Sequence, residues 1–302
     1  MRPPASERRL ILMIAIGQRP WAPITAALFE RYAHDVCGAD FRLETALPGP
    51  VEFPLPDMPD HPGRPHKRVY AAKAFLPWRA MAQDGYDRVL VVDDSCCVTP
   101  DAPDVFARAA RGTCGYTQTS AVHAEMSFET IRAFVRAKGE ADVPYDPAFY
   151  MNSGVMLYDR TFVDALALDR IVAARDLLFA AYPHQTLSYY LLRRGGVPMT
   201  LLPKSFNRLP ASQLPPKRWA AMTDVVPHLG NGDDTFIYHV TGAFKHRDRV
   251  IPALACHLLS RVDPAAAARF AKRHVRTARI SRIGAAAAST LRSRLRSAVA
   301  IR

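Results

Sequence analysis

The chain has 302 residues, 49% of them hydrophobic and 23% charged. That composition belongs to a folded globular protein and excludes both a disordered chain and a small disulfide scaffold. Net charge is +12, but residues 271–302 hold Lys272, eight arginines and no acid, +9 in all, so the other 270 residues carry +3 and lack the broad basic surface of a nucleic-acid binder.

The longest unbroken apolar run, residues 10–16, is far short of the roughly 20 needed to span a bilayer. It follows Arg2, Arg8 and Arg9, so a signal peptide cleaved near Ala15-Ile16-Gly17 is one reading. A buried first strand ending at a glycine turn suits the following Gln18-Arg19-Pro20-Trp21 better. A helix is then expected near 21–34, a strand at 41–46, a helix within 67–83 and a strand at 88–93. Between them, seven prolines in residues 48–65 forbid helix and ladder alike. In the second half we expect a strand at 150–158, helices at 161–181 and 184–194, strands at 197–202 and 236–240, and a helix at 249–262. Residues 48–66, 119–148 and 205–234 read as irregular loops, the usual seat of binding specificity. This alternation predicts an α/β domain over residues 1–265 with a mostly parallel central sheet flanked by helices. Residues 266–302 are expected to form a basic, partly helical tail.

Leu291, Leu295 and Val299 recur at helical spacing among arginines, so the tail reads either as a solvated appendage or as a weak contact for an anionic membrane surface. The cysteines at 37, 96, 97, 114 and 256 show no C-x-x-C spacing and read as reduced thiols of a cytoplasmic protein, which the basic tail would place peripherally on the inner membrane face. No G-x-G-x-x-G or P-loop occurs, and no nucleic-acid partner is expected.

Three segments carry chemistry. Val89-Leu90-Val91-Val92 is apolar throughout, as a strand covered on both faces should be, and it ends in Asp93-Asp94-Ser95. In open α/β sheets the ligand crevice lies outside the carboxyl ends of strands, where carboxylates can hold a divalent cation. Near the end of the body, His239 is followed by Gly242 and Lys245: an imidazole ligand, a close backbone approach and an ammonium for phosphate. Asn152-Ser153-Gly154 places small polar groups at the head of an apolar strand, within reach of sugar hydroxyls.

Taken in order, these segments resemble the glycogenin and lipopolysaccharide galactosyltransferase-like glycosyltransferases, the family-eight type of the GT-A nucleotide-diphospho-sugar transferase fold, over residues 8–250. The resemblance implies a Mn²⁺ or Mg²⁺ site at Asp93, Ser95 and His239. It implies donor contacts at Lys73, Asp94, Asn152, Ser153, Gly154, Gln185, Gly242 and Lys245, with Asn152 and Gln185 as catalytic candidates. The implied reaction moves a hexose, with retention, from a nucleotide sugar (a UDP-sugar foremost) to a glycan, lipid-linked or other acceptor. The chain departs from the family where Ser95 replaces the second aspartate of Asp-x-Asp, where His184 stands before Gln185, and where His246-Arg247 replaces Pro-Trp. In an extended strand, residues 93 and 95 share a face and Asp94 points away, so Asp94 is not expected to make good the missing ligand. A non-catalytic sugar-nucleotide or glycan-binding protein on the same fold is the alternative.

Overall fold

The structure, a computed structural model, describes residues 7–17, 19–49, 53, 67–209, 235–240 and 247–272. Eight strands are described: β1 (Arg9–Ile14), β2 (Asp40–Glu44), β3 (Arg88–Asp93), β4 (Cys96–Val98), β5 (Cys114–Gln118), β6 (Met151–Asp159), β7 (Met199–Leu201) and β8 (Ile237–His239). The helices are α1 (Ala22–Arg31), α2 (Lys67–Ala82), α3 (Ala121–Lys138), α4 (Leu168–Ala173), α5 (Pro183–Arg194) and α6 (Arg247–Ser260), and residues 264–272 are also helical.

Six strands make the main sheet in the order β2-β1-β3-β6-β5-β7. Pairings β1–β2, β1–β3 and β5–β7 are parallel, and β6 runs antiparallel to both β3 and β5. The expected α/β architecture with a mostly parallel sheet is therefore present. Leu10, Leu12, Val89 and Val91 bury into one core with α2, α3 and α5, while Ile11, Met13, Leu90 and Val92 bury into another with α1 and α6. Cover on both faces is why these strands read as unbroken apolar runs.

Two expectations need correction. Residues 119–148 are not an irregular loop: 121–138 form an 18-residue helix, capped by Ser120 accepting from the His123 amide and ended at Gly139 (φ 65°). Its buried Ala124, Phe128, Ile131 and Val135 stand at helical spacing. Residues 161–181, expected as one helix, are a 3₁₀ segment (Arg160–Leu166), α4 and a second 3₁₀ turn (Arg175–Phe179). The backbone leaves helical geometry at Phe162 (φ −117°, ψ 24°) and again at Ala167 (φ −55°, ψ 147°), which keeps each helical run short.

Strands β4 and β5 were not anticipated, and the first strand stops two residues early, at Ile14. Ala266 and Ala267 are buried against the α6 side. Gly242, Lys245, most of the proline-rich stretch, residues 210–234 and the arginine-bearing stretch 273–302 lie outside the described residues. Among the described residues no helix is long and apolar enough to cross a membrane, and all five cysteines are free thiols.

Candidate functional site

Strand β3 ends at Asp93, level with Ile14 of β1, so both strands deliver their carboxyl ends to one crevice. The chain then turns through Asp94-Ser95 and enters β4, which pairs antiparallel with β8 so that Cys96 stands opposite His239. The Val240 amide donates to the Ser95 carbonyl at 3.0 Å. This small second sheet brings a strand end and an imidazole from distant parts of the sequence face to face: Asp93 Oδ2 lies 3.7 Å from His239 Nε2. Because the strand stops at Asp93, alternation no longer governs the next two residues. Asp94 does not turn away as an extended chain requires; Asp93, Asp94 and Ser95 all line the same cleft.

His239, 5% exposed, is fixed by its surroundings. Asn207 donates Nδ2 to Thr117 Oγ1 at 2.7 Å and turns its carbonyl oxygen to His239 Nδ1 at 2.9 Å. Nδ1 therefore carries the proton, and Nε2 is the nitrogen directed at Asp93. Beneath the ring lies Gly154, where an added Cβ would fall 2.1 Å from Cε1 and 2.3 Å from Nδ1. Its amide is held at 2.9 Å by Asn152 Oδ1, and its carbonyl accepts from the Cys96 thiol. Gly154 is not among the residues that line the cleft; its visible task is to let the imidazole sit down on β6.

Lys73 reaches across from α2 and places Nζ against Asp93 Oδ1. Burial pushes the Asp93 carboxyl up, but the Lys73 ammonium outweighs it and holds it below the usual carboxylate range. Asp94 faces Arg19 at 3.6 Å. His184, in the first turn of α5 and 2% exposed, has neither ring nitrogen hydrogen-bonded among the described residues. Burial, aided by the charge of Lys73, pushes its pKa down to about 3, so it is neutral at physiological pH. Gln185 beside it donates Nε2 to the Met151 carbonyl at 2.9 Å.

Together these groups wall a cleft of about 530 Å³. Of the residues expected at the site, Lys73, Asp93, Asp94, Ser95, Asn152, Ser153, Gln185 and His239 line it. Sequence reasoning missed Arg19, Tyr70, Thr119, His123 and Tyr182 on its walls, and Asn207 and Thr117 behind His239. Arg19 had a signal, since it follows the carboxyl end of the first strand; Asn207 had none, its partner being 32 residues away.

Does this donor set suit a divalent cation? For metal–ligand bonds of about 2.1 Å, neighbouring ligand atoms stand about 3 to 3.5 Å apart, and Asp93 Oδ2 and His239 Nε2 are within a few tenths of an ångström of that. The fixed Nδ1 proton aims a ring nitrogen of the right kind at the carboxylate. Among the described residues no group of three His, Cys, Asp or Glu side chains is gathered for a metal. The site therefore fits a cation held by two protein side chains and completed by water and a substrate oxyanion, a common arrangement for hard cations.

No protein-family model and no curated protein sequence matches the chain. Among solved structures it is similar to the apo form of the bifunctional glycosyltransferase WbbM, with TM-score 0.51 and 11% identity over 90% of this chain and 53% of that one. It is also similar to LgtC carrying an active-site Gln→Glu substitution, with TM-score 0.50 and 13% identity over 81% of this chain and 94% of that one. A glycosyltransferase involved in glycosylation of the major capsid of PBCV-1 aligns at TM-score 0.46 and 16% identity over 83% of this chain and 98% of that one. The first two likenesses show the fold: the chain has the α/β fold of the GT-A glycosyltransferases.

Proposed function

We propose that the chain is a glycosyltransferase of the glycogenin and lipopolysaccharide galactosyltransferase-like, family-eight type. It would transfer a hexose from a nucleotide-diphosphate sugar, a UDP-sugar foremost, to a glycan or lipid-linked acceptor, with retention and with Mn²⁺ or Mg²⁺. The observation that carries this reading is the approach of Asp93 and His239, 3.7 Å apart, within a cleft of about 530 Å³ at the carboxyl ends of β1 and β3. Its fold neighbours are sugar transferases, and the LgtC variant alters an active-site glutamine, the residue type found here at Gln185.

Asp93 and His239 would hold the cation, with Ser95 joining directly or through a water. When bound, the cation neutralises the charge that builds on the departing diphosphate. Lys73, inside the cleft, adds a second positive charge for the same oxyanion, and Lys245 is proposed to add a third. Asn152, Ser153 and Gln185 stand on the wall where hydroxyls of the transferred sugar would be read. Double displacement would need a free carboxylate beside the anomeric carbon. Among the described residues, the two acids lining the cleft, Asp93 and Asp94, each face a cation, Lys73 and Arg19. That arrangement suits a front-face route: the bond from the anomeric carbon to phosphate breaks as the bond to the acceptor oxygen forms, and the departing phosphate oxygen takes the acceptor's proton.

A second reading, a non-catalytic sugar-nucleotide or glycan-binding protein, draws on Ser95, where a neutral hydroxyl replaces an anionic ligand. Titrating a panel of nucleotide sugars with and without Mn²⁺, then assaying donor hydrolysis and transfer, separates the two. We expect a UDP-hexose to bind more tightly with Mn²⁺ and to turn over. Asp93→Asn should weaken the metal-dependent binding by about an order of magnitude or more, because it removes the one charged ligand. Unchanged metal-dependent affinity in that variant would show the site to be misplaced. Tight binding with no turnover, even in Ser95→Asp, would establish the binding protein.

A further inference from the structure

The carboxylate assigned to the cation already has a positive partner. Lys73 stands in a stretch of α2 that is buried on every side, Ala72, Ala74, Phe75 and Leu76 being at most 1% exposed, so its ammonium is delivered to Asp93 by a packed helix. Lys73 is itself 9% exposed, and Asp93 is its ion-pair partner among the described residues.

A carboxylate in this setting cannot be left uncompensated, but neither can one negative charge balance an ammonium and a divalent cation together at low dielectric. With a second aspartate at position 95 both cations could be accommodated. With Ser95 there, and Asp94 turned toward Arg19 at 3.6 Å, the charges close only if one cation leaves or an anion arrives.

We propose that Lys73 is a resident counter-ion that competes with the divalent cation for Asp93, so that the cation binds tightly only when a diphosphate in the cleft draws the ammonium off the carboxylate. His184 supplies a second acceptor for the released ammonium: it is buried, it lines the same cleft, and neither of its nitrogens is hydrogen-bonded among the described residues. Metal and donor binding are thereby coupled through one side chain. The diphosphate half rests on the function proposed above; the competition for Asp93 does not.

The test measures Mn²⁺ affinity of the full chain by electron paramagnetic resonance of free Mn²⁺, with and without UDP. Lys73→Met should bind Mn²⁺ alone about 10- to 100-fold more tightly than the parent, the worth of one hydrogen bond to a charged group, and Lys73→Arg should stay as weak as the parent. UDP should then raise the Mn²⁺ affinity of Lys73→Met less than it raises that of the parent. Equal or weaker Mn²⁺ binding in Lys73→Met overturns the proposal. Should that variant fail to fold, Lys73→Gln keeps a neutral donor on Asp93 and must still bind Mn²⁺ more tightly than the parent. If the parent ignores UDP while the variants still gain Mn²⁺ affinity, the competition stands and the nucleotide reading falls. If UDP and Mn²⁺ bind together normally and the variants gain nothing, the competition falls and the nucleotide reading stands.

Discussion

Position 154 has no side chain, and that leaves room for His239. Any β-carbon there would lie between 2.1 and 2.9 Å from three atoms of the imidazole, inside contact distance. Gly154→Ala should therefore cost about 1–3 kcal/mol of overpacking strain and abolish metal-dependent donor binding by pushing Nε2 away from Asp93. Adding His239→Ala to Gly154→Ala removes the clash, so the double variant should recover most of the lost stability and none of the metal binding. Urea unfolding of the four chains in this cycle measures it, and additive losses would show that the ring and residue 154 do not meet.

His184 gives the fold an acid sensitivity whose direction is fixed. An imidazole in the unfolded chain titrates near 6.5, whereas burial and then Lys73 push this one down to about 3 in the fold. Between those values the unfolded chain takes up a proton that the folded chain refuses, so stability falls as pH drops from about 6.5 and is unaffected by this group above it. The slope approaches ~1.4 kcal/mol per pH unit. His184→Gln should remove that limb, making its loss of stability between pH 6.5 and 4.5 smaller than the parent's by roughly 2–3 kcal/mol. Identical acid slopes in urea titrations of the two chains would refute the assignment.

Legibility varied among elements for physical reasons. β3 was read correctly because cover on both faces leaves a run of four aliphatic residues; α2 and α5 are buried on nearly every side, from Ala71 to Leu76 and from Thr186 to Leu192. α3 was equally readable from Ala124, Phe128, Ile131 and Val135 with Ser120 and Gly139 at its ends; the loop expectation followed its place in the chain instead of its period. β4 and β8 are another matter. Each has three residues, and nothing local specifies that Cys96 should stand opposite His239. The meeting of Asp93 and His239 was anticipated from the resemblance of motifs, not from pattern. Asn207 and Thr117 were invisible for the same reason, since tertiary pairing alone makes them partners. Treating residues 93–95 as extended failed because β3 stops where the chemistry starts.

On the scale of the whole molecule, charge separates a nearly balanced body from a strongly basic end. Of the net +12, eight units are arginines between 273 and 302, whereas helical residues 264–272 are tied to the body through the buried Ala266 and Ala267. A chain ending at Lys272 should keep its core, its cleft and its melting temperature, and its formal charge falls to +4 by the loss of those eight arginines. Each basic residue near an anionic bilayer contributes about 1 kcal/mol, and that attraction fades within a Debye length as salt rises. The full chain should therefore sediment with vesicles rich in phosphatidylserine at low salt, release as NaCl increases, and ignore neutral phosphatidylcholine vesicles. Removing residues 273–302 should abolish the sedimentation while leaving donor binding in the cleft intact. If the shortened chain still sediments as the full one does, membrane contact belongs to the body and the arginine-rich end has another use. If neither chain sediments, a polymeric acceptor or a solvated end takes its place.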